Sequence, residues 1–108
     1  MGYFTLFKSD KNDDYYFNLK APNHEIILAS QGYSSKNAAE NGIESVKVNG
    51  SEESRFERNS AKDGQYYFNL KSGNGQVIGT SEMYKTTASR DNGIESVKKN
   101  APEAEIND

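Results

Sequence analysis

The 108-residue sequence contains no cysteine and a single histidine. Disulfide scaffolds, thiol catalysis, iron–sulfur clusters and Cys/His zinc fingers are therefore excluded. Long apolar runs are missing too. No stretch approaches the roughly 20 residues that cross a bilayer, and residues 1–10 lack the apolar core of a signal peptide. A cytoplasmic protein without membrane contact is expected. Aliphatic residues are scarce: Leu, Ile, Val and Phe together account for 19 of 108 positions, just under the level of about one fifth where disorder competes with folding. Two features oppose disorder. The net charge is only −3, and seven Tyr with five Phe supply large apolar bodies. A folded, polar domain with a thin core is expected, spanning residues 1–108.

What the sequence does have is itself, twice. Tyr15-Tyr16-Phe17-Asn18-Leu19-Lys20 returns as Tyr66-Tyr67-Phe68-Asn69-Leu70-Lys71, and Asn41-Gly42-Ile43-Glu44-Ser45-Val46-Lys47 returns as Asn92-Gly93-Ile94-Glu95-Ser96-Val97-Lys98, each 51 positions on. Asn23/Asn74, Ile27/Ile78, Ser30/Ser81 and Tyr33/Tyr84 keep the same register without a gap. The halves are taken as repeat 1, residues 2–50, and repeat 2, residues 53–108. They differ in length only before Tyr15, where Phe4 to Phe17 spans 13 positions and Phe56 to Phe68 spans 12. The extra residue belongs in a turn.

Each repeat opens with period-two patterning and closes with helical patterning. Residues 3–7, 15–20 and 24–30 read as strands of a meander, as do 55–58, 66–71 and 76–81 in the second copy. Ser72-Gly73-Asn74-Gly75 and Ala21-Pro22-Asn23-His24 are the turn signals between the later strands. Ser35 and Thr86 then suit helix N-caps, and Ala39, Gly42, Ile43 and Val46 form one apolar stripe. Gly42 and Gly93, costly inside a helix, are expected to allow close approach of helix and sheet. The helices should stop near Asn49 and Asn100, with Gly50 and Pro102 as stop signals. A unit of about 51 residues with so few aliphatics buries too little surface to fold alone, so the copies are expected to share a core. The tail, where Ala104 and Ile106 alternate with Glu103 and Glu105, is expected to return as a strand to the first copy.

The Tyr-Phe-Asn-Leu-Lys and Asn-Gly-Ile-Glu-Ser-Val-Lys blocks, with Tyr33-Ser34-Ser35-Lys36, resemble the bacterial YegP family, small tandem-repeat proteins classed as a domain of unknown function. The likeness runs from about Phe4 to Asn100. It implies an α+β fold: two tandem βββα(β) repeats forming one antiparallel sheet with two helices on one face, pseudo-two-fold symmetry and swapped C-terminal strands. It implies no activity.

Alternation along the strands puts Phe17, Leu19, Phe68 and Leu70 under the helices, alongside Ile27, Ile78, Ile43, Val46, Ile94 and Val97. The opposite face then carries Tyr16, Asn18, Lys20, Tyr67, Asn69 and Lys71, the candidate binding residues. Aromatic rings flanked by amides and cations on an open sheet are the ingredients for stacking on single-stranded bases, although the same residues suit an ordinary solvated face. No catalytic residue, metal ligand or cofactor is implied. His24 has no partner by spacing. Asp10-Lys11-Asn12-Asp13-Asp14 begins like a calcium loop but has Tyr15 at the sixth position and Ala21 at the twelfth, and Ser72–Gly75 lacks the Lys-Ser/Thr of a phosphate loop. Glu44 with Lys47 and Glu95 with Lys98 read as helix-supporting pairs. The expected function is a non-catalytic binding or interaction module, monomeric with an internal pseudo-dimer, whose partner is a protein or a single-stranded nucleic acid and not a membrane. The alternative is an enzyme with a polar site where the repeats meet.

Overall fold

A computed structural model describes residues 2–107; Met1 and Asp108, which belong to the expected domain span, lie outside the described residues. Repeat 1 contributes β1 (Tyr3–Lys8), β2 (Tyr15–Lys20), β3 (Ile26–Ala29) and α1 (Lys36–Asn49); repeat 2 contributes β4 (Phe56–Ser60), β5 (Tyr66–Lys71), β6 (Val77–Thr80) and α2 (Thr87–Asn100), followed by a short strand, β7 (Glu105–Asn107). The seven strands form one sheet in the order β4-β5-β6-β3-β2-β1-β7. Both meanders are antiparallel, as expected, and they join where β3 runs antiparallel to β6. Only the outermost pairing departs from that pattern, because β7 lies parallel to β1 and makes the sheet mixed. Its direction follows from where the chain arrives. The end of α2 sits beside the start of β1, so close that a side chain on Gly2 would collide with Asn100, and the tail can only run alongside β1 in the same sense. The strand returned to the first copy is thus present.

The helices begin and end where capping chemistry places them. Ser35 Oγ accepts the amide of Ala38 at 3.0 Å and Thr86 Oγ1 that of Ser89 at 3.0 Å. At the far ends the Asn49 amide donates to the Ser45 carbonyl (2.9 Å) and hydroxyl (3.3 Å), and Asn100 does the same to Ser96 (2.8 and 3.2 Å). Recurrence of Ser45 and Asn49 as Ser96 and Asn100 is therefore a helix-end device. Ser30 and Ser81 are equally structural, since each hydroxyl accepts the amide of Phe17 or Phe68 at 2.9 Å and extends the ladder beyond its strand. The extra residue of repeat 1 falls in the β1–β2 turn, residues 9–14, against residues 61–65 in repeat 2.

One core lies between the sheet and the helices. Phe4, Phe17, Leu19, Leu28, Ile43, Val46, Phe68, Leu70, Ile94 and Val97 are fully buried. The positions assigned to the helix side by alternation and stripe, which also include Ile27 and Ile78, all lie inside. Helix α1 lies over β2 of its own repeat and over β5 and β6 of the other; α2 lies over β5 and β3. Neither repeat covers its own sheet unaided.

The glycines of the helical stripe do something more specific than bring helix to sheet. A side chain on Gly42 would collide with the Tyr33 hydroxyl and meet the Phe17 ring at 3.1 Å, and Gly93 stands in the same relation to Tyr84 and Phe68. Each glycine opens a slot for a phenol ring that lies stacked on the sheet phenylalanine, at centroid separations of 6.0 and 6.5 Å. Burial raises the pKa of both phenols above the ordinary tyrosine value. Gly50 also differs from expectation. Its backbone is right-handed helical, with φ −66°, so it does not end α1 by a left-handed turn. It is needed because a side chain there would meet Val46 O at 2.7 Å and Ala101 Cβ at 2.9 Å.

Candidate functional site

The open face of the sheet takes its character from the register. Tyr16, Asn18 and Lys20 lie on it in repeat 1 and Tyr67, Asn69 and Lys71 in repeat 2, all partly exposed. The neighbouring strand decides what surrounds them. In repeat 2, Glu57 of β4 stands opposite Asn69, and Asn59 opposite Tyr67. The Glu57 carboxylate accepts from Lys71 Nζ at 2.7 Å, from Asn69 Nδ2 at 3.2 Å and from Asn59 Nδ2 at 3.2 Å, while Thr80 Oγ1 donates to Asn69 Oδ1 at 2.9 Å. With Lys71 as the largest cause, these donors hold the Glu57 carboxyl at about 2. The amide and the cation are engaged within the fold.

Repeat 1 has the same three residues without the carboxylate. Thr5 stands opposite Asn18 and Phe7 opposite Tyr16. Among the described residues no side chain bonds to Asn18 or Lys20. Phe7, 45% exposed, is stacked on Tyr16 with ring centroids 6.0 Å apart and planes at 19°. Tyr16 is further held by Asn12 Nδ2, which donates to its hydroxyl at 3.0 Å. At the far end of the same face Tyr3 shares a 2.7 Å hydrogen bond with His24 Nδ1, so the lone histidine orients a ring of this surface from its turn. The structure thus leaves Asn18 and Lys20 free where it engages Asn69 and Lys71, while of the two tyrosines it is Tyr16 that is held, by Asn12 and Phe7. It also adds Phe7, overlooked in the sequence because its counterpart in repeat 2 is Asn59. Pairing β1 with β2 by alternation would have revealed it.

On the other side of the sheet the two copies form a pair of grooves. One, of about 730 Å³, lies between α1 and the β5–β6 turn; the other, of about 420 Å³, lies between α2 and the β2–β3 turn. These are the concavities an enzyme at the repeat junction would use. The carboxyls whose pKa is lowered, Glu53, Glu57 and Asp91, lie outside both linings. Glu53, held at about 2 first by Arg58 and then by Lys98, bonds Arg58 at 2.7 Å and also contacts Lys98. Asp91 is lowered by Arg58 at 3.1 Å and by Arg90 at 3.3 Å. This network fastens the inter-repeat segment to α2. Glu44 with Lys47 (3.9 Å) and Glu95 with Lys98 (3.1 Å) are pairs three apart on a helix. The Asp10–Asp14 segment forms the β1–β2 turn, in which Asn12 Oδ1 accepts the Asp14 amide at 3.1 Å.

Two pseudo-symmetric βββα units sharing one sheet, with the last strand returned to the first unit, define the class: a tandem-repeat α+β protein. The model of the family described as "Domain of unknown function (DUF1508)" matches twice, over residues 10–57 and 61–108, and the chain belongs to this family, that of the UPF0339 proteins. It is 56% identical to a UPF0339 protein of Bordetella pertussis over 107 residues, 99% of this chain and 95% of that one. It is 49% identical to the UPF0339 protein YegP of Escherichia coli, covering 99% and 96% of the two chains. Solution NMR structures of a UPF0339 protein from Shewanella oneidensis and of yegP from E. coli superpose with TM-scores of 0.92 and 0.93, at 50% and 48% identity. Each covers 99% of this chain, and the chain covers 90% and 91% of theirs. Among the described residues no helix is long and apolar enough to cross a membrane.

Proposed function

We propose that the protein is a non-catalytic cytoplasmic binding module, acting as a monomeric unit of repeats 2–50 and 53–108, that holds its partner against the repeat 1 half of its open sheet face. One observation carries the reading: Glu57 occupies Lys71 and Asn69 in repeat 2, whereas Thr5, at the matching register position, leaves Asn18 and Lys20 unengaged. A flat group laid on the Phe7–Tyr16 rings would meet an amide that both donates and accepts and a cation beyond it. A single-stranded nucleic acid has that chemistry: a base to stack on the rings, worth about 1–3 kcal/mol by alanine substitution, polar edges for Asn18 and a phosphate for Lys20. With a chain charge of −3, binding should be weak and strongly weakened by salt.

Amide chemical-shift titration with single-stranded RNA and DNA oligomers, and with cell-extract fractions, tests this. Perturbations should gather at Phe7, Tyr16, Asn18 and Lys20 and be small at Tyr67, Asn69 and Lys71. Glu57→Thr should extend them to repeat 2. Silence at the repeat 1 residues with every probe would remove the proposal; response to a protein fraction alone would keep the face and replace the nucleic acid.

A further inference from the structure

The two grooves at the repeat junction share a floor of three polar positions, one of which the fold itself does not use. Three positions line both: Asn41 and Asn92 on the helices, Ser45 and Ser96 one turn on, and Asn74 and Asn23 on the facing turn. Ser45 and Ser96 support the helix ends. Asn74 and Asn23 shape their turns by accepting the amides of Gln76 and Glu25 at 3.1 Å. Asn41 and Asn92 have no such role. Both are exposed, and among the described residues neither side chain makes a hydrogen bond. Asparagine is also a poor residue for a helix interior, yet it stands mid-helix in both copies, each time facing an asparagine of the other repeat across a groove.

The groove over α1 shows what such a site would take. Its lining includes Ser34, Asn41, Ser72, Asn74 and the Tyr33 ring, with one carboxylate, Asp14, and no lysine or arginine. Its size falls within the range of small-molecule sites, roughly 300–1,000 Å³. Amides and hydroxyls that each donate and accept, beside a carboxylate that accepts, suit a neutral ligand bearing neighbouring hydroxyls, and Asp14 without a cation in the lining disfavours phosphates and carboxylates. The groove over α2 has the same floor but is smaller, with Pro22 at its turn and Glu95 and Lys99 at its wall. We propose that these are two pseudo-equivalent saccharide-binding grooves, anchored by Asn41 and Asn92, of which the groove over α1 binds more tightly.

The test is heteronuclear NMR titration of the full chain with three neutral trisaccharides, maltotriose, cellotriose and triacetylchitotriose, with glucose 6-phosphate and a neutral tetrapeptide as comparators. The expected result is a saturable shift of the Asn41 and Asn74 side-chain amides by at least one trisaccharide. Binding should weaken about tenfold in Asn41→Ala, as loss of one hydrogen-bonding group implies. Asn92→Ala should leave that site unchanged. Because alanine is the better helix former, Asn41→Ala should melt at the same temperature as the parent chain or higher, which a structural role for Asn41 would not allow. No saturable shift by any trisaccharide at about 10 mM, a response to glucose 6-phosphate or the peptide alone, or a lower melting temperature in Asn41→Ala would each overturn the proposal.

Discussion

Leu28 occupies the space that a side chain on Gly79 would need. The two are equivalent positions in the repeats, 51 apart, and a Cβ on Gly79 would lie 2.6 Å from both Leu28 Cγ and Leu28 Cδ2. Gly50 and Ala101, also 51 apart, meet in the same way, and Ala29 pairs with its own equivalent, Thr80, where the meanders join. Residues that touch their own counterparts mark a pseudo-two-fold axis, which runs through β3 and β6 and between the helix ends. On such an axis there is room for one large side chain where strict symmetry would demand two or none. Leu28 is fully buried in that position.

A double-mutant cycle follows. Leu28→Gly alone should cost about 3–5 kcal/mol by emptying the core, and Gly79→Leu alone should cost about 1–3 kcal/mol or more by overfilling it. The double variant returns one leucine to the axis and should recover most of the loss, with a coupling energy above about 1 kcal/mol. Urea denaturation measures all four corners. Simple additivity would show that the two positions do not share one space.

Much of this arrangement was legible in the sequence because the second copy acts as a control on the first. Alternation along Tyr15–Lys20 and the stripe through Ile43 and Val46 placed the core, since period two and period 3.6 follow from backbone geometry alone. The meander, the caps at Ser35 and Thr86 and the returning tail could be read for the same reason. Repetition also hid what distinguishes the copies. The neutralisation of Lys71 by Glu57, and its absence beside Lys20, depend on which strand lies alongside. The slot between Gly42 and Tyr33, and the crossing of Leu28 into the place of Gly79, depend on three-dimensional proximity between segments far apart in the chain.

Turn chemistry provides a second prediction. Repeat 1 places Asp13 (φ 60°) and His24 (φ 72°) in left-handed conformation where repeat 2 has Gly64 (φ 85°) and Gly75 (φ 87°). A Cβ on either glycine would touch nothing within 4 Å, so substitution there reports backbone strain alone. Gly64→Ala and Gly75→Ala should each destabilise by about 1–2 kcal/mol. Gly64→Asp and Gly75→His, which transplant residues that tolerate positive φ, should cost less. Equal losses for alanine and the transplanted residue in chemical denaturation would contradict this account.

Acid stability follows from two carboxylates. Glu53 and Glu57 both fall from 4.5 to about 2 in the folded chain, Glu53 mainly through Arg58 and Glu57 mainly through Lys71. A carboxyl whose folded value is depressed stabilises the fold in full above its unfolded value, and that contribution is lost as pH falls towards the folded value. Melting temperature should therefore decline between pH 4.5 and about pH 2, and the decline should be shallower in Glu53→Gln and Glu57→Gln. Both groups are solvent-exposed, so added salt should reduce the difference. Parallel melting curves for the variants and the parent chain across that interval would rule the two pairs out as the source.

The axis also decides which fragments can fold. In a chain of residues 1–50, α1 would lose the β5 and β6 surface it covers, and β3 would lose α2 and its partner strand. So small a unit buries too little surface to stand alone. Self-pairing does not rescue it. Two copies of residues 1–50 would bring two Leu28 side chains to a place that holds one, and two copies of residues 51–108 would leave two glycines and a void. Each fragment alone should lack a cooperative melt as a monomer, while an equimolar mixture should form a one-to-one complex with a single transition near that of the whole chain. Sedimentation equilibrium with circular dichroism of the fragments, separate and mixed, distinguishes these states. A sharply melting monomer of residues 1–50, or a homodimer preferred over the mixed complex, would show that Leu28 and Gly79 do not govern how the halves join.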